Sequence, residues 1–302
     1  MLKWIFKILL GLAIIILIYS SIKQWNYDSK VQKEYQPTGK FSAIGKNKVH
    51  YDYFGQGDIT FILIAGLGET MHTWSGIKED LAKRGRVFMY DRSGLGHSEE
   101  GILPRSVDNI ANELHTVLKN EHVLGPYIVI GHSAGGFSAR YFAKKYPDKI
   151  LGLFIIDPYQ EMGRKEFGEW PLSYKITNWS LRKMSWSGIP YFLLPNPPHP
   201  IYKTSKAIKT FGNEVSAEDV SLKQFAELDK EKSQLPLYIL SASNSNSEYR
   251  NLFQKWNQEI LEKYAHEINK HVIVESGHHI HIEKPQAVLD ELDEFIAKLV
   301  ID

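Results

Sequence analysis

Apolar residues form several short unbroken runs in this chain and recur at helical spacing in the segments between the runs. The runs ITFILIAG (59–66), YIVIG (127–131) and ILGLFIIDP (150–158) have the length and uniform apolarity of strands that are buried on both faces. The segment VDNIANELHTVLKNEH (107–122) instead places apolar residues three and four positions apart, as one face of a helix does. Strands that alternate with helices predict a mainly parallel sheet with helices on both faces.

Other segments extend this pattern at both ends and interrupt it once. KFSAIG (40–45) and KVHYDYFG (48–55) alternate as a hairpin does, and further strands are expected at RVFMYDR, LPLYILSAS and KHVIVES. The alternation stops between Tyr159 and Gln234, in a segment rich in Trp, Tyr, Phe and Pro. Because a structureless loop of that length is improbable inside a compact domain, we expect a helical insertion here.

The start of the chain has the character of a membrane anchor. The run WIFKILLGLAIIILIYS (4–20) is interrupted only by Lys7, and about seventeen residues at 1.5 Å each nearly cross a bilayer core. No convincing small-x-small cleavage site follows, which favours an uncleaved single-pass anchor over a signal peptide. Lysines flank the run on both sides and leave its orientation open; a domain outside the cytoplasm is the working expectation.

A polar stretch without periodicity follows the anchor and contains Pro37, so it is interpreted as a tether. The predicted organisation is an anchor at 1–22, a tether at 23–38, the first part of a core at 39–158, a helical cap at 159–234 and the second part of the core at 235–302.

Composition narrows the possible chemistry. Lys and Arg total 36 against 35 for Asp and Glu, and a formal charge of +1 gives no reason to expect a nucleic-acid partner. The chain has no cysteine, which excludes disulfides, thiolate nucleophiles and cysteine-ligated zinc. The chain as a whole has an ordinary globular composition, with 43% hydrophobic residues.

The pentapeptide GHSAG (131–135) follows a predicted strand and opens a predicted helix. It matches the G-x-S-x-G turn in which a serine is held exposed as a nucleophile, with glycines where side chains would collide with the neighbouring strand and helix. Ser133 is therefore the candidate nucleophile. A glycine-lined turn with a capping serine is the alternative interpretation.

A serine hydroxyl needs a base to take its proton. His278 follows a predicted strand and precedes a predicted helix, which puts it at the carboxyl edge of the sheet together with Ser133. The neighbouring His279 and His281 raise a rival interpretation, a histidine-rich metal site. No carboxylate or further histidine at helical spacing completes such a ligand set, so we expect no metal and no cofactor.

From about Lys40 onward the chain resembles the α/β-hydrolases, on four motifs in the expected order. They are IAGLGET after the third strand, YDRSGLGHS after the fourth, GHSAG, and SGHHIHIEKP with Glu283 five residues after His278. The resemblance implies an eight-stranded, mostly parallel sheet with helices on both faces and a helical cap after strand 6. With its N-terminal anchor, the chain resembles membrane-tethered bacterial serine hydrolases in particular.

The resemblance leaves the acid of the triad open. Many relatives place an aspartate after the seventh strand, but LSASNSNSEY has no carboxylate there before Glu248. Asp157 ends the sixth strand, and some family members use that position. Asp157 also preserves the chain order Ser, Asp, His. Asp157 is therefore the predicted acid, and Glu248 and a degraded acid site are the alternatives.

Acyl transfer also needs donors for the oxyanion of the tetrahedral intermediate. The backbone N–H groups of Ala134, directly after the nucleophile, and Leu67, in IAGLGET, are the candidates. Asp91, Arg92 and Gly96 are expected to brace the site, and His132 is expected to be a packing residue.

The predicted function is hydrolysis of an ester or similar acyl bond in a small apolar substrate, with Ser133, Asp157 and His278 as triad. One alternative is an aminopeptidase or amide hydrolase of the same fold, which would use carboxylates in the cap. A further alternative is a tethered receptor that binds a small ligand without turnover. The carboxylates available to the peptidase are Glu161, Glu166 and Glu169.

Overall fold

The computed structural model describes residues 1–159, 161–190, 199–244 and 250–299 of the chain. In these ranges eight strands form one sheet. They are β1 (Lys40–Ile44), β2 (Asn47–Phe54), β3 (Thr60–Ile64), β4 (Arg86–Tyr90), β5 (Tyr127–His132), β6 (Ile150–Ile156), β7 (Leu237–Ala242) and β8 (Lys270–Val274).

The strands lie in the order β1-β2-β4-β3-β5-β6-β7-β8. The pairs β1–β2 and β2–β4 are antiparallel, and all the other pairs are parallel. The predicted eight-stranded, mostly parallel sheet and the N-terminal hairpin are therefore confirmed. Because parallel strands end at one edge, the residues that follow β3, β5, β6, β7 and β8 gather at the carboxyl edge.

The unbroken apolar runs arise because both faces of the sheet are buried. Successive side chains of a strand point to opposite faces. In β3, Phe61 and Leu63 belong to one hydrophobic cluster, whereas Ile62 and Ile64 belong to the other. A strand between two such clusters has no polar side.

Helices cover both faces. Apolar residues of the helices at 107–120, 134–145 and 250–261 fill one cluster, and those of the helices at 78–82 and 285–299 fill the other, together with the short 3-10 helix Met71–Trp74. The helices outside the insertion are α2 (Lys78–Ala82), α3 (Val107–Asn120), α4 (Ala134–Lys145), α9 (Arg250–Leu261), α10 (Ile280–Glu283) and α11 (Pro285–Leu299).

Between β6 and β7 the described chain is helical, which matches the expected insertion. This segment, the cap, lies next to the carboxyl ends of the strands. Residues 191–198 of the predicted cap lie outside the described ranges. Its helices are α5 (Glu161–Phe167), α6 (Leu172–Met184), α7 (Ser205–Ser216) and α8 (Glu218–Leu228), with 3-10 turns at Ser185–Ser187 and Pro200–Lys203.

The chain begins with one long helix, α1 (Leu2–Glu34). Its first part is long and apolar enough to cross a membrane, by length and composition, and almost all of that part is exposed. A signal sequence passes the same test. The side chains of Ser20, Gln24 and Val31 are buried against the rest of the protein.

The tether expected at 23–38 is wrong for most of its length. Helix α1 continues to Glu34 and packs on the cap through polar groups. The Gln24 amide donates a 3.1 Å hydrogen bond to the Lys203 carbonyl, and Tyr27 donates one of 2.8 Å to the Pro200 carbonyl. The helix is stabilised by partners in the cap, so this segment needs no apolar periodicity of its own.

Candidate functional site

Ser133 lies in the turn between β5 and α4, where the backbone is strained. Its φ is +52° and its ψ is −123°, a conformation that residues with a side chain rarely adopt. The glycines of the motif make this turn possible. A Cβ on Gly131 would collide with the Gly135 carbonyl, and a Cβ on Gly135 would collide with the carbonyls of Ile64 and Ala65. The half-buried Ser133 is thus held at the carboxyl edge of the sheet.

Asp157 follows β6 directly and is held by hydrogen bonds from the neighbouring strand. It too has a positive φ, of +41°, and it is 8% exposed. The Ala242 N–H, at the end of β7, donates a 3.0 Å hydrogen bond to Asp157 Oδ1. The other carboxylate oxygen, Oδ2, lies 2.5 Å from His278 Nδ1.

This hydrogen bond fixes how His278 can act. A carboxylate oxygen only accepts, so Nδ1 carries the proton and the Nε2 of the neutral ring keeps a lone pair. Neither this Nε2 nor the Ser133 hydroxyl makes a hydrogen bond to any residue in the described ranges. His278 is 41% exposed at its side chain, and its ring lies beside that of His132, the residue before Ser133, with centroids 4.6 Å apart.

The loop that carries His278 is closed by Glu283, in the next helical turn of the chain. The Gly277 N–H donates a 2.8 Å hydrogen bond to the Glu283 carboxylate, and the Ser276 hydroxyl donates one of 3.3 Å. His281 is fully buried, with its Nε2 2.8 Å from the Thr73 hydroxyl. Burial lowers the pKa of His281 well below its usual value, so its ring is neutral.

Glu69, three residues after Gly66, joins three parts of the site. Its Oε2 accepts a 2.9 Å hydrogen bond from the Gly66 N–H and lies 3.1 Å from His132 Nδ1, and its Oε1 lies 2.8 Å from His279 Nε2. His132 Nε2 in turn donates a 3.1 Å hydrogen bond to the His278 carbonyl. The Glu69 carboxylate therefore links the loop after β3, the turn at Ser133 and the loop of His278.

The charges in this network stabilise each other. Burial by itself would raise the pKa of the Glu69 carboxyl, but hydrogen bonds from His132 and His279 outweigh it and lower that pKa. The hydrogen bond to Glu69 raises the pKa of His279 against the opposing effect of burial. Glu69 is not among the site residues predicted from the sequence, and His132 was expected only to pack. The carboxylate was visible in IAGLGET, but nothing in the sequence brings it to histidines 63 and 210 positions away.

The three histidines of the loop after β8 do not share one set of partners. His278 contacts Asp157, His279 contacts Glu69 and His281 contacts Thr73, so the three rings have separate partners. Ligand atoms of a different trio, Glu69, His132 and His279, do lie within 4.8 Å of one another, a spacing that could hold a cation. The two contacts of Glu69 within this trio have hydrogen-bond lengths, 3.1 Å to His132 and 2.8 Å to His279.

Arg92 braces the loop that carries Leu67. Its guanidinium donates hydrogen bonds of 2.6 Å and 2.7 Å to the carbonyls of Ala65 and Gly66, and it pairs with the buried Glu214 at 2.8 Å. In a trans peptide the N–H points opposite to the preceding carbonyl. With the Gly66 carbonyl turned to Arg92, the Leu67 N–H points the other way, and in the described ranges it donates no hydrogen bond.

Ala134 is the first residue of α4, so its N–H has no partner within the helix. Leu67 and Ala134 both border a cavity of about 220 Å³, which Ser133 and His278 do not line themselves. The cavity therefore starts at the two predicted oxyanion donors. Its other walls are mainly apolar and include Val107, Ile110, Phe137, Tyr159, Trp170, Tyr174 and Leu222.

The structure therefore brings Asp157 and His278 together, and the ring of His132, the residue before Ser133, lies beside His278. Leu67 and Ala134 border the same cavity. Glu248, the alternative acid, lies outside the described residues. The expectation that Asp91 is a bracing residue agrees with its contacts: its carboxylate is buried, pairs with His50 at 2.8 Å and accepts the Met71 N–H at 2.9 Å.

Comparisons with known proteins give a consistent result. A family model described as the alpha/beta hydrolase fold matches residues 59–184. "Uncharacterized protein YqjL" of Bacillus subtilis is 32% identical over 104 residues, which cover 34% of this chain and 41% of that protein. The human (lyso)-N-acylphosphatidylethanolamine lipase is 30% identical over 101 residues, 32% of this chain and 30% of the lipase. These alignments span less than half the length of the curated relatives.

The likeness in three dimensions is more extensive. The crystal structure of the Cif epoxide hydrolase from Acinetobacter nosocomialis superposes with a TM-score of 0.72 over 91% of this chain and 96% of its own, at 17% identity. The region that the family model matches contains the strained turn at Ser133 and the end of β6 at Asp157. On its sheet order, its motifs and these matches, the chain has the α/β-hydrolase fold.

Proposed function

We propose that this protein is a serine hydrolase that cleaves a carboxylic ester or related acyl bond through an acyl-enzyme intermediate. The observation that carries the proposal is the hydrogen bond between Asp157 and His278 beside the strained turn of Ser133. Together these supply a buried acid, a base with a free lone pair and a half-buried hydroxyl. That combination is what serine nucleophilic catalysis requires.

In the proposed reaction, Ser133 Oγ attacks the acyl carbon while His278 Nε2 takes its proton. Asp157 stabilises the imidazolium, and the N–H groups of Leu67 and Ala134 bind the oxyanion. His278 then gives the proton to the leaving alcohol, and the acyl group stays on Ser133. A water attacks the acyl-enzyme with His278 again as base. The missing hydrogen bond between Ser133 and His278 is compatible with this sequence, because such contacts often tighten only when substrate binds.

A serine at the elbow favours acyl transfer over epoxide opening. Epoxide hydrolases and haloalkane dehalogenases of this fold use a carboxylate as nucleophile, and this chain has Ser133 at that position. The similarity to an epoxide hydrolase structure, at 17% identity, therefore concerns the fold. The named lipase among the relatives is compatible with ester chemistry.

The cavity supports an apolar acyl substrate. Aromatic and aliphatic side chains form most of its walls, two of the charged groups at its border are held in ion pairs, and the carboxylate of Glu218 accepts hydrogen bonds from Tyr159 and Trp170. Arg92 pairs with Glu214, and Arg105 pairs with Glu113 at 2.9 Å. A medium acyl chain or an aromatic ester fits this lining. No cofactor is needed for this chemistry.

The aminopeptidase alternative receives less support. Arg140 neutralises the buried Glu161 at 2.7 Å, Glu169 pairs with Lys175 at 2.7 Å, and Glu166 is exposed. None of these three carboxylates lines the cavity. The receptor alternative depended on the lack of an acid that could orient His278. The hydrogen bond between Asp157 and His278 argues against it.

We further propose that α1 is an uncleaved, single-pass anchor and that the catalytic domain lies outside the cytoplasm. The contacts of Ser20 and Gln24 with the cap, at Gly188 and Lys203, support an α1 that stays with the folded domain. A membrane-impermeant fluorophosphonate applied to intact cells tests the orientation: labelling without lysis supports it, and labelling only after lysis contradicts it.

Purified full-length protein tests the reaction. We expect hydrolysis of short and medium p-nitrophenyl esters, no release of p-nitroaniline from aminoacyl anilides, and loss of ester hydrolysis in Ser133→Ala. Turnover of the anilides with inert esters would support the peptidase instead. No turnover of either class in a folded protein would support the receptor.

A further inference from the structure

The cap has an exposed apolar stripe that no part of the described chain covers. Leu172, Ile176 and Trp179 lie four and three positions apart on α6, so they share one face of the helix. They are 72%, 58% and 55% exposed, and Trp186, which follows α6, is 57% exposed. We call these four residues the cap stripe. Large apolar side chains grouped in this way on a surface mark an interaction site.

The same helix forms part of the cavity wall. Tyr174 lines the cavity and stacks on Trp170, with ring centroids 4.2 Å apart. Trp170 also lines the cavity, and it is 39% exposed. Helix α6 therefore separates the cap stripe from the cavity by one helix diameter, about 10 Å.

Contacts with α1 determine where along this helix the cap lies, relative to the end of the apolar run. Gly188, two residues after Trp186, packs so closely on α1 that a Cβ there would collide with the Ser20 carbonyl. Ser20 is the last residue of the apolar run. Farther along α1, Asp28 accepts a 3.0 Å hydrogen bond from the Ser205 N–H. From Ser20 to Asp28 the helix rises about 12 Å, so the cap meets α1 within the first turns after the run.

The groups around this junction suit a membrane interface. Trp25, on α1, is 69% exposed. Trp186 is 57% exposed and lies in the 3-10 turn Ser185–Ser187, which packs on α1. Tryptophan is enriched at the level of lipid headgroups. Lys183 continues the spacing of the cap stripe, is exposed and makes no ion pair within the described ranges. A lysine at such a place can keep its apolar stem in the interface and its charge among anionic headgroups.

We propose that the cap stripe is embedded in the interface of the bilayer that α1 crosses. The cavity behind α6 then takes its acyl substrate from that leaflet, so the substrate class is a membrane-resident amphiphile with an acyl chain. This inference rests on the proposed hydrolase function for its substrate and on the proposed anchor for its geometry. We favour the lipid surface as the partner of the cap stripe because the anchor α1 places the stripe next to a membrane in every molecule.

The chain has no cysteine, so single-cysteine variants carry a spin label at a unique site. We would label Ile176→Cys and Trp179→Cys, with Leu124→Cys as control, in full-length protein at one chain per lipid nanodisc. Leu124 is 59% exposed, close to the 58% of Ile176, but it precedes β5 and lies at the opposite edge of the sheet. The ratio of collisions with oxygen to collisions with a water-soluble nickel chelate reports lipid depth.

We expect this ratio to be several-fold higher at the two stripe positions than at Leu124→Cys. Equal ratios at all three positions would overturn the proposal. So would shielding of the stripe that appears only with two chains per disc, because the occupant would then be a second copy.

Rates of ester hydrolysis provide the second part of the test. Ile176→Glu should hydrolyse a water-soluble short ester like the wild type, but should hydrolyse a long-chain acyl ester dissolved in the disc at least tenfold more slowly. Leu124→Glu should leave both rates unchanged. Equal loss of both rates, or no loss, in Ile176→Glu would contradict uptake from the membrane. If the wild type hydrolyses neither ester, the proposed function fails, and the spin-label measurement still decides where the stripe lies.

Discussion

Asp157 Oδ2 and His278 Nδ1 lie 2.5 Å apart, although the two residues are separated by 121 positions in the chain. Asp157 directly follows strand β6, and His278 lies in the loop after β8. The parallel sheet therefore brings the two residues together at its carboxyl edge. The first Asp157 oxygen, Oδ1, is held by the Ala242 N–H, which leaves Oδ2 for the histidine. The orientation of the His278 ring therefore depends on both carboxylate oxygens of Asp157 being hydrogen-bond acceptors.

Replacing Asp157 by Asn removes one of these acceptors. With Oδ1 still bound to the Ala242 N–H, the new amide N–H₂ faces His278 Nδ1 and forces the proton onto Nε2. That tautomer cannot accept the serine proton, so kcat should fall by about 10³- to 10⁴-fold while the circular dichroism spectrum stays unchanged.

Glu248→Gln is the matched control for this change, because Glu248 is the alternative acid. It should retain nearly all activity. If Asp157→Asn were nearly as active as the wild type and Glu248→Gln were not, the acid would be Glu248.

Glu69→Gln should weaken both stability and turnover. Glu69 is a positioning residue here: it touches His132 and His279, and His132 holds the carbonyl of His278. Loss of a charged, largely buried hydrogen-bond acceptor costs about 2 kcal/mol of unfolding free energy. Displacement of the His278 loop should lower kcat on the order of 10- to 100-fold with KM little changed.

The pH dependence separates this role from simple packing. Glu69 raises the pKa of His279 above its unfolded value, so the stabilisation from this pair is complete below about pH 6 and is lost as pH rises through the folded pKa. The difference in unfolding free energy between wild type and Glu69→Gln, measured in urea, should therefore shrink from pH 6 to pH 9. A difference that is constant over this range would contradict the charged pair.

Much of the fold could be predicted from local pattern, and much of the site could not. The runs at β3, β5 and β6 are apolar because they are buried on both faces. The turn at Ser133 could be predicted because GHSAG contains the two glycines that the turn requires. The helical end of α1 was missed because its stabilising contacts, such as Gln24 with Lys203, are polar and come from a segment far away in the chain. Glu69 was missed for the same reason.

Arg92→Lys should damage the oxyanion site. A lysine cannot donate to the carbonyls of Ala65 and Gly66 and to Glu214 in one plane, so the Leu67 N–H loses its fixed direction. We expect kcat to fall by about 10²-fold, with slower inactivation by a fluorophosphonate. Arg84→Lys, at a partly exposed ion pair with Asp293, is the control and should behave as wild type. Unchanged kcat in folded Arg92→Lys would remove Leu67 from the proposed site.

Acidification should loosen the junction of α1, the cap and the core at His199. Its ring contacts those of Tyr35 and His72, and its Nδ1 accepts the Ile201 N–H. Burial, and to a lesser extent neighbouring histidines, lowers the pKa of His199 to about 4. Between about pH 6.5 and pH 4, His199 is protonated in the unfolded chain but neutral in the folded chain. The free energy of unfolding should therefore fall as pH drops through this range.

His199→Asn keeps an acceptor but removes this titration. Unfolding free energies at pH 7 and pH 4.5 should differ less in this variant than in the wild type. His122→Asn, at an exposed histidine with a positive φ that Asn tolerates, should leave the difference unchanged. The same pH dependence in all three proteins would show that other groups are responsible.

The most direct test of the central claim is to treat the full-length protein with a fluorophosphonate and locate the adduct by peptide mass spectrometry. The account predicts a single adduct on Ser133, formed at least 10²-fold more slowly in His278→Ala and absent in Ser133→Ala. An unmodified Ser133 in folded wild-type protein, or a rate that does not depend on His278, would contradict it.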